Sequence, residues 1–365
     1  MPFDVREFPA GAEAVARSRR LVGGWLLAVA FMVLVMIVLG GVTRLSGSGL
    51  SIMEWAPLSG ALPPLNEAEW QRLFALYQHI PQYALLHDGF GLAGFKRIFW
   101  LEWTHRLWGR LVGAAFLLPL LWFWARGAIE KRLRPRLLLL FALGGVQGAV
   151  GWFMVASGFF PESTAVSPYR LVVHLALALV LYAALLWIGL TVLRPTPAPA
   201  PAAPRRRLLA ALGLIALTII AGGFTAGLHA GRIYNTFPLM DRRLVPAGYA
   251  DLHPFVRNLT ENLAAVQFDH RLLATLTALV VLVTAVSGLV RPQPTPLARA
   301  LAMLGLLVAV QYALGVATLL HAAPIGLAAV HQGVAVLVFT AAVVALHAAR
   351  GAAPSRARQL IPEPT

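Results

Sequence analysis

Four histidines recur at matching places in the two halves of this 365-residue chain, each near the start of an apolar stretch: His105 and His174, then His270 and His331. The run Glu102 to Leu107 (Glu-Trp-Thr-His-Arg-Leu) answers Gln267 to Leu272 (Gln-Phe-Asp-His-Arg-Leu), and Val-Val-His-Leu around His174 answers Ala-Val-His-Gln around His331. Gly-Gly-Val-Thr ending at Thr43 answers Gly-Gly-Phe-Thr ending at Thr225, and Gln147 with Gly151 answers Gln311 with Gly315. The offset falls from 182 residues at the threonines to 165, 164 and 157 at the later anchors, so the halves differ mainly in loop length. A duplication constrains the fold before any single residue does, because both copies must bury the same faces in the same way.

The copies belong in a bilayer. With 59% apolar and 12% charged residues and a mean hydropathy of +0.73, the chain is too apolar for an ordinary soluble domain. A membrane-crossing helix needs about 20 mostly apolar residues. Eight such stretches stand out, near 21 to 43, 103 to 125, 137 to 156, 171 to 193, 208 to 228, 267 to 290, 300 to 320 and 327 to 348. The predicted fold is an all-α integral membrane protein of eight transmembrane helices, arranged as two pseudo-symmetric four-helix bundles. Residues 1–194 form the first half, 195–207 a Pro-rich linker between Pro195 and Pro204, and 208–365 the second half.

A net charge of +15 would suit nucleic acid if it formed one patch, but the charges sort by side of the membrane instead. Eighteen of the thirty Lys and Arg lie in the two tails and in the connections after the second, fourth and sixth helices, as in Arg132, Arg134 and Arg136 or Arg205 to Arg207. By the positive-inside rule both termini are cytoplasmic, and the long connections 44–101 and 229–266 lie outside. The N-terminal tail, with Asp4, Glu7 and Glu13, reads as neither signal nor transit peptide, so a bacterial inner membrane is expected. The absence of cysteine excludes disulfides, thiolate haem ligation and cysteine-held iron–sulfur clusters. In the first outer loop, Asn66 and Glu69 have capping-box-like spacing, and Trp70, Leu73, Phe74 and Tyr77 share one helical face, which predicts a short amphipathic helix.

On this topology all four histidines sit near the outer ends of their helices. Facing helices of a four-helix bundle can give one imidazole to each face of a porphyrin, and two halves then hold two haems. The bland reading is a hydrogen bond across a helix interface, and a proton relay is a third. Gly145, Gly148 and Gly151 leave one flank of their helix bare, for a flat ring or for a packed neighbour, and Gln147 and Gln311 suit interhelical hydrogen bonds. Arg44, Arg106, Arg232 and Arg271, at or beyond outer helix ends, can pair with haem propionates or snorkel to headgroups. His79, His87, His229, His253, His321 and His347 read as surface residues.

The halves differ most sharply at one carboxylate. Glu102 stands three residues before His105 on the same helical face, where the second half has Gln267. It can serve as proton acceptor or stabilise positive charge at the first site, or it is a solvated acid at a helix N-terminus. Asp269, beside His270, points elsewhere and reads as surface. The first half also has the longer outer loop, by 17 residues between the threonine and histidine anchors, long enough for a lid.

The run Gly40 to Ser51 (Gly-Gly-Val-Thr-Arg-Leu-Ser-Gly-Ser-Gly-Leu-Ser), Glu54-Trp55, Pro63 to Glu67, Phe99 to Arg106, His174, His270-Arg271 and His331-Gln332 together resemble the haem A synthase family, in its cysteine-free subclass, over nearly the whole chain. The resemblance implies oxidation of the C8 methyl group of haem O to the formyl group of haem A, for cytochrome c oxidase. It implies that His270 and His331 hold the iron of a haem B cofactor, that His105 and His174 hold the substrate haem iron, and that Glu102 is catalytic. Implied partners are the lipid bilayer, haem O and haem A, with haem O synthase, oxidase assembly factors and a second copy of the chain as further candidates, and no nucleic acid. The alternative is a bis-histidine dihaem electron carrier without substrate turnover, and a transporter would need a substrate pathway through the helices.

Overall fold

The structure, a computed structural model, describes residues 8–57, 59–196 and 202–351. Eight long helices carry the architecture: α1 (Phe8–Leu45), α4 (Gly91–Ala125), α5 (Arg134–Ala156), α6 (Pro168–Leu193), α7 (Ala202–Gly227), α9 (Leu263–Leu289), α10 (Thr295–Leu320) and α11 (Ile325–Ala348). All eight are long and apolar enough to cross a membrane. Three short helices, α2 (Glu67–Gln78), α3 (Pro81–Leu86) and α8 (Asn258–Glu261), lie in the two long connections. Among the described residues there is no β-strand, only an isolated bridge between Met240 and Arg243.

Local sequence explains most of the boundaries. Proline in the first turn, where no amide partner is lost, opens α5, α6 and α10. Asn262 caps α9 by accepting from the amides of Ala264 and Ala265, at 2.9 and 3.3 Å. The amphipathic helix expected in the first loop is α2, capped by Asn66, whose side chain accepts from Glu69 N at 2.9 Å. α7 begins at Ala202, inside the stretch expected to be linker, so Arg205 to Arg207 are helical; residues 197–201 of the Pro-rich run lie outside the described residues.

The departure from expectation that bears most on the site is at α4, which starts twelve residues before the predicted 103. The extension is too mixed in polarity to read as membrane-spanning, yet it is amphipathic. Phe95, Ile98, Phe99 and Glu102 recur at helical spacing and are all buried. The three apolar members pack with Trp70, Phe74 and Tyr77 of α2 and with Leu50 into a compact cap. Trp70 meets Phe99 edge-on at 4.8 Å, a favoured aromatic geometry.

Helices α1, α4, α5 and α6 form one closed ring of neighbours, and α7, α9, α10 and α11 form another. The rings touch through α1 with α11, α6 with α7, and α6 with α11. A shared apolar core runs through this seam, including Leu26 of α1, Leu185 of α6, Leu208 of α7 and Phe339 of α11. Polar contacts cross it as well, among them Tyr182 Oη to Thr340 Oγ1 at 2.6 Å.

Candidate functional site

Each of the four histidine rings is seated on a glycine of a neighbouring helix. A Cβ added at Gly151 of α5 would lie 2.8 Å from the His174 ring, one at Gly222 of α7 2.9 Å from His270, one at Gly315 of α10 2.9 Å from His331, and one at Gly40 of α1 3.1 Å from His105. Only a residue without a side chain lets an imidazole lie this close to a helix backbone. The seats occur at the duplicated positions, Gly40 with Gly222 and Gly151 with Gly315. His105 and His174 are close enough for their charges to interact, and so are His270 and His331. The structure thus brings the predicted histidines together as two pairs, one in each ring of helices.

The second glycine of each Gly-Gly pair couples one ring of helices to the other. Gly41 admits the amide of Gln332, the neighbour of His331, and Gln332 Nε2 donates to Ile37 O at 2.8 Å. Gly223, the counterpart of Gly41, lies against Val172 and Leu175, which flank His174; a Cβ there would meet them at 3.0 and 3.4 Å. Each Gly-Gly turn therefore contacts a histidine of its own half and the histidine-bearing turn of the other half. Sequence comparison found the motif as a repeat anchor, but its double role needs the packing.

Gln147 and Gln311 reach the histidines themselves. Gln147 Nε2 lies 3.2 Å from His174 Nδ1 and donates to His174 O at 3.1 Å, while Gln311 Nε2 lies 3.5 Å from His331 Nε2. The hydrogen bonds are interhelical, as expected, and they end on the candidate ligands. The remaining oxygens Gln147 Oε1 and Gln311 Oε1, and the ring nitrogens His270 Nδ1 and His331 Nδ1, are buried without a partner. Buried polar atoms without partners are costly, so they mark places where a further group is held. Paired imidazoles with no third protein ligand suit the two axial positions of a porphyrin iron, whose other four ligands the porphyrin brings; a bare ion needs a fuller protein shell. Among the described residues no cluster of three or more His, Cys, Asp or Glu could form such a shell. The residues present fit haem.

Glu102 is buried at 2% exposure, well inside α4, so it is not a solvated acid at a helix N-terminus. Its Oε2 accepts from Ser51 Oγ and Ile52 N, both at 2.8 Å, and its Oε1 from Arg106 Nη2 at 2.6 Å and Nε at 3.0 Å. Arg106 also donates to Ile52 O at 2.5 Å and to Glu54 O at 2.7 Å, so carboxylate and guanidinium together clasp the outer loop. The second half repeats the clasp with an amide. Arg271 donates to Tyr234 O at 2.5 Å, Thr236 O at 2.8 Å and Gln267 Oε1 at 3.1 Å, and Gln267 Nε2 donates to Ala230 O and Ile233 O.

The four arginines expected to meet propionates therefore divide. Arg106 is spent on Glu102 and loop carbonyls, while Arg271 holds loop carbonyls and Gln267 and leaves only its buried Nε without a partner. Arg44 keeps a buried Nη2 without a partner, and Arg232 sits in a short turn after α7. Desolvation, and after it the positive charges of Arg44 and Arg232, push the His229 imidazole below its usual value, which places these three side chains in one cluster.

Three residues read as surface are not. His347 is buried at 3% exposure, with Nε2 3.2 Å from Thr191 Oγ1 and its ring edge-on to Trp187. Asp269 is half-buried and accepts from Tyr249 Oη at 2.9 Å. His87 is half-buried, its Nδ1 2.5 Å from Tyr77 Oη. In each case the partner comes from another element, which no local pattern reveals. His79, His229, His253 and His321 are exposed as expected.

Comparison with known proteins agrees with the motifs. Residues 23–343 match the family described as COX15-CtaA, cytochrome oxidase assembly protein. The chain is 62% identical over 338 residues to a protein of Granulibacter bethesdensis named "Heme A synthase", covering 92% of this chain and 89% of that one. It is 49% identical over 343 residues to "Heme A synthase" of Rhodospirillum centenum (93% and 91%), and 48% identical over 345 residues to "Heme A synthase 2" of Acidiphilium cryptum (93% and 94%).

Proposed function

The chain belongs to the COX15-CtaA family of cytochrome oxidase assembly proteins, and from that membership we propose that it is an oxidoreductase of haem A biosynthesis that oxidises haem O. The change is from the C8 methyl group to a formyl group. Written against water, CH3 plus H2O gives CHO with four protons and four electrons released. The site must therefore hold a porphyrin at a fixed orientation and accept protons beside it.

The observation that carries this reading is the arrangement of four glycine-seated imidazoles as two pairs, one in each ring of helices. His270 and His331 would hold a haem B cofactor, and His105 and His174 the substrate. Bound haem would supply one-electron chemistry at iron, which no side chain here offers. The two rings of helices read as pseudo-symmetric bundles, supported by matching neighbours and matching glycine seats. The positive-inside distribution supports cytoplasmic termini, a bacterial inner membrane and haem sites toward the periplasmic side.

The asymmetry between the halves supports chemistry at the first pair. Glu102 lies on the His105 helix, buried, and both its oxygens accept hydrogen bonds. A proton leaving the substrate would pass to Ser51 Oγ while the Ser51 hydroxyl proton moves to Glu102 Oε2, 2.8 Å away. Arg106 keeps that carboxylate in place, and the loop it clasps excludes water. Arg44, with a buried Nη2 to spare, and Arg232 in the same cluster would take the propionates.

The test is to purify the protein after haem-replete expression, extract its haems and identify them by mass. Haem B with haem O or haem A is the expected result. Two haem B groups and no haem O-derived product would favour the electron carrier, and a colourless protein would defeat both.

A further inference from the structure

Two helices that border the first histidine pair, α4 and α5, meet through aromatic contacts at two heights. Toward one end the Phe116 and Phe141 rings stack 6.1 Å apart at 11°. Toward the other the Arg106 guanidinium lies 5.6 Å from the Trp152 ring centre. Between these contacts, helical spacing puts Gly109 and Gly113 on the α5-facing side of α4, and Gly145 and Gly148 on the α4-facing side of α5. The two aromatic contacts fix the antiparallel register, which brings Gly109 opposite Gly148 and Gly113 opposite Gly145.

Facing glycines in membrane helices ordinarily let the backbones close until they touch. Here the space beside them is not filled from the facing helix. A Cβ at Gly109 would meet Met36 of α1 at 3.2 Å, but one at Gly113, Gly145 or Gly148 would meet no atom within 4 Å, and Gly145 and Gly148 are exposed. Between Phe141 and Trp152, a length of about 16 Å at 1.5 Å per residue, the α5 face toward α4 carries the bare Gly145 and Gly148. The equivalent seam between α9 and α10 is filled. There Ala274 and Ala278 replace the α4 glycines, Tyr312 replaces Gly148, and the Tyr312 and Thr275 hydroxyls bond at 3.0 Å. Ala278 and Val281 are buried, and a Cβ at Gly305 would already touch Ala285 at 3.2 Å.

We propose that the slot between α4 and α5 is the side entrance through which the porphyrin substrate passes from the lipid phase to His105 and His174; this rests on the function proposed above. The slot leads to the first pair. Gly151, one turn beyond Gly148, seats the His174 ring, Gln147 contacts it, and His105 is one turn from Gly109. The occupant is set by shape and solubility. A macrocycle is flat enough for a gap between bare helix faces, and a largely apolar one loses nothing by travelling in hydrocarbon rather than water. A resident cofactor needs no such route, and the second half, which would hold it, is the sealed one.

The absence of cysteine makes the test clean. Gly148→Cys is purified with its cofactor haem, then labelled with pyrenyl maleimide after folding, and haem O is offered from phosphatidylcholine vesicles. Leu139→Cys, on the opposite, lipid-facing side of α5, is the labelled control, and Gly145→Cys is a second position in the slot. Uptake is read by extraction and mass identification. Unlabelled Gly148→Cys and labelled Leu139→Cys should load haem O at the parent rate, and labelled Gly148→Cys and Gly145→Cys about tenfold or more slowly. Cofactor haem should be unchanged throughout. Parent-rate loading of the labelled slot variants overturns the entrance, and so does loss of cofactor haem on labelling, which would make the slot structural. Failure of the unlabelled parent to take up haem O would overturn the proposed function instead.

Discussion

The loop clasps of the two halves do the same mechanical work with different charge. In each, the arginine after the first histidine donates to two carbonyls of the outer loop, Ile52 and Glu54 in one half and Tyr234 and Thr236 in the other, which are themselves 182 residues apart. The residue one turn earlier completes each clasp, Glu102 as acceptor from Ser51 and Ile52, Gln267 as donor to Ala230 and Ile233. An amide is evidently sufficient to hold a loop in this scaffold. A buried carboxylate costs more to desolvate than an amide, so its charge in the first half serves something besides anchoring.

The largest effect that tests this contrast is loss of a haem. His270→Ala or His331→Ala should leave protein without its cofactor haem, whereas His105→Ala or His174→Ala should keep it and lose only substrate handling, as read by extracted haem. The opposite pattern would exchange the roles of the two halves. Next in size is Glu102→Gln, which makes the first clasp resemble the second. It should keep the cofactor haem and lower haem A formation by about 100-fold or more, in the range of a lost general base. Gln267→Glu should leave haem A formation near the parent level. A Glu102→Gln protein with full haem A formation would reduce Glu102 to an anchor.

Packing at the seats gives the next effect. A Cβ at Gly315 or Gly151 intrudes on a histidine ring at 2.9 or 2.8 Å, so alanine there should cost about 1–3 kcal/mol by overpacking. The two substitutions should also differ in colour. Gly315→Ala should shift the visible spectrum of the cofactor haem, and Gly151→Ala should leave that spectrum unchanged while weakening haem O binding. Equal spectral effects from both would remove the distinction between the pairs.

How much of this was legible in the sequence follows from the range of the interactions. The eight spans, the four histidines and the Gly-Gly anchors could be read because a duplicated chain prints each constraint twice. The α4 extension was missed because Phe95, Ile98 and Phe99 are buried by α2, an element of the loop rather than of the membrane. Glu102 was ambiguous for the same reason, since its burial depends on Ser51 and Ile52 folding back upon it. The glycines of α5 left open a flat ring or a packed neighbour, because spacing shows which face is bare and only the three-dimensional arrangement shows what stands opposite.

The first half also carries a titratable contact in its outer cap. Desolvation lowers the His87 pKa below 6.5, and Nδ1 faces the Tyr77 hydroxyl. A base with a depressed folded-state pKa binds protons more readily when unfolded, so its contribution declines as pH falls below about 6.5. Backbone amides of α2 and α3 should therefore exchange faster at pH 5 than at pH 7 after correction for intrinsic rates. His87→Gln should flatten that dependence, and an unchanged pH response in His87→Gln would place the sensitivity elsewhere.

The smallest expected effect concerns the sealed seam of the second half. Tyr312→Phe keeps the ring that fills the position of Gly148 and deletes only the hydroxyl that meets Thr275. Interhelical hydrogen bonds of this kind average about 0.6 kcal/mol in membranes, because a polar group freed from one partner finds another. If packing closes the seam, Tyr312→Phe should retain cofactor haem through purification at the parent level, with a small drop in thermal midpoint, while Tyr312→Gly should lose haem to excess lipid vesicles much faster. If the phenylalanine variant sheds haem as fast as the glycine variant, the hydroxyl pair is the latch. The contrast between the two seams would then rest on one hydrogen bond rather than on the side-chain volume that separates tyrosine from glycine.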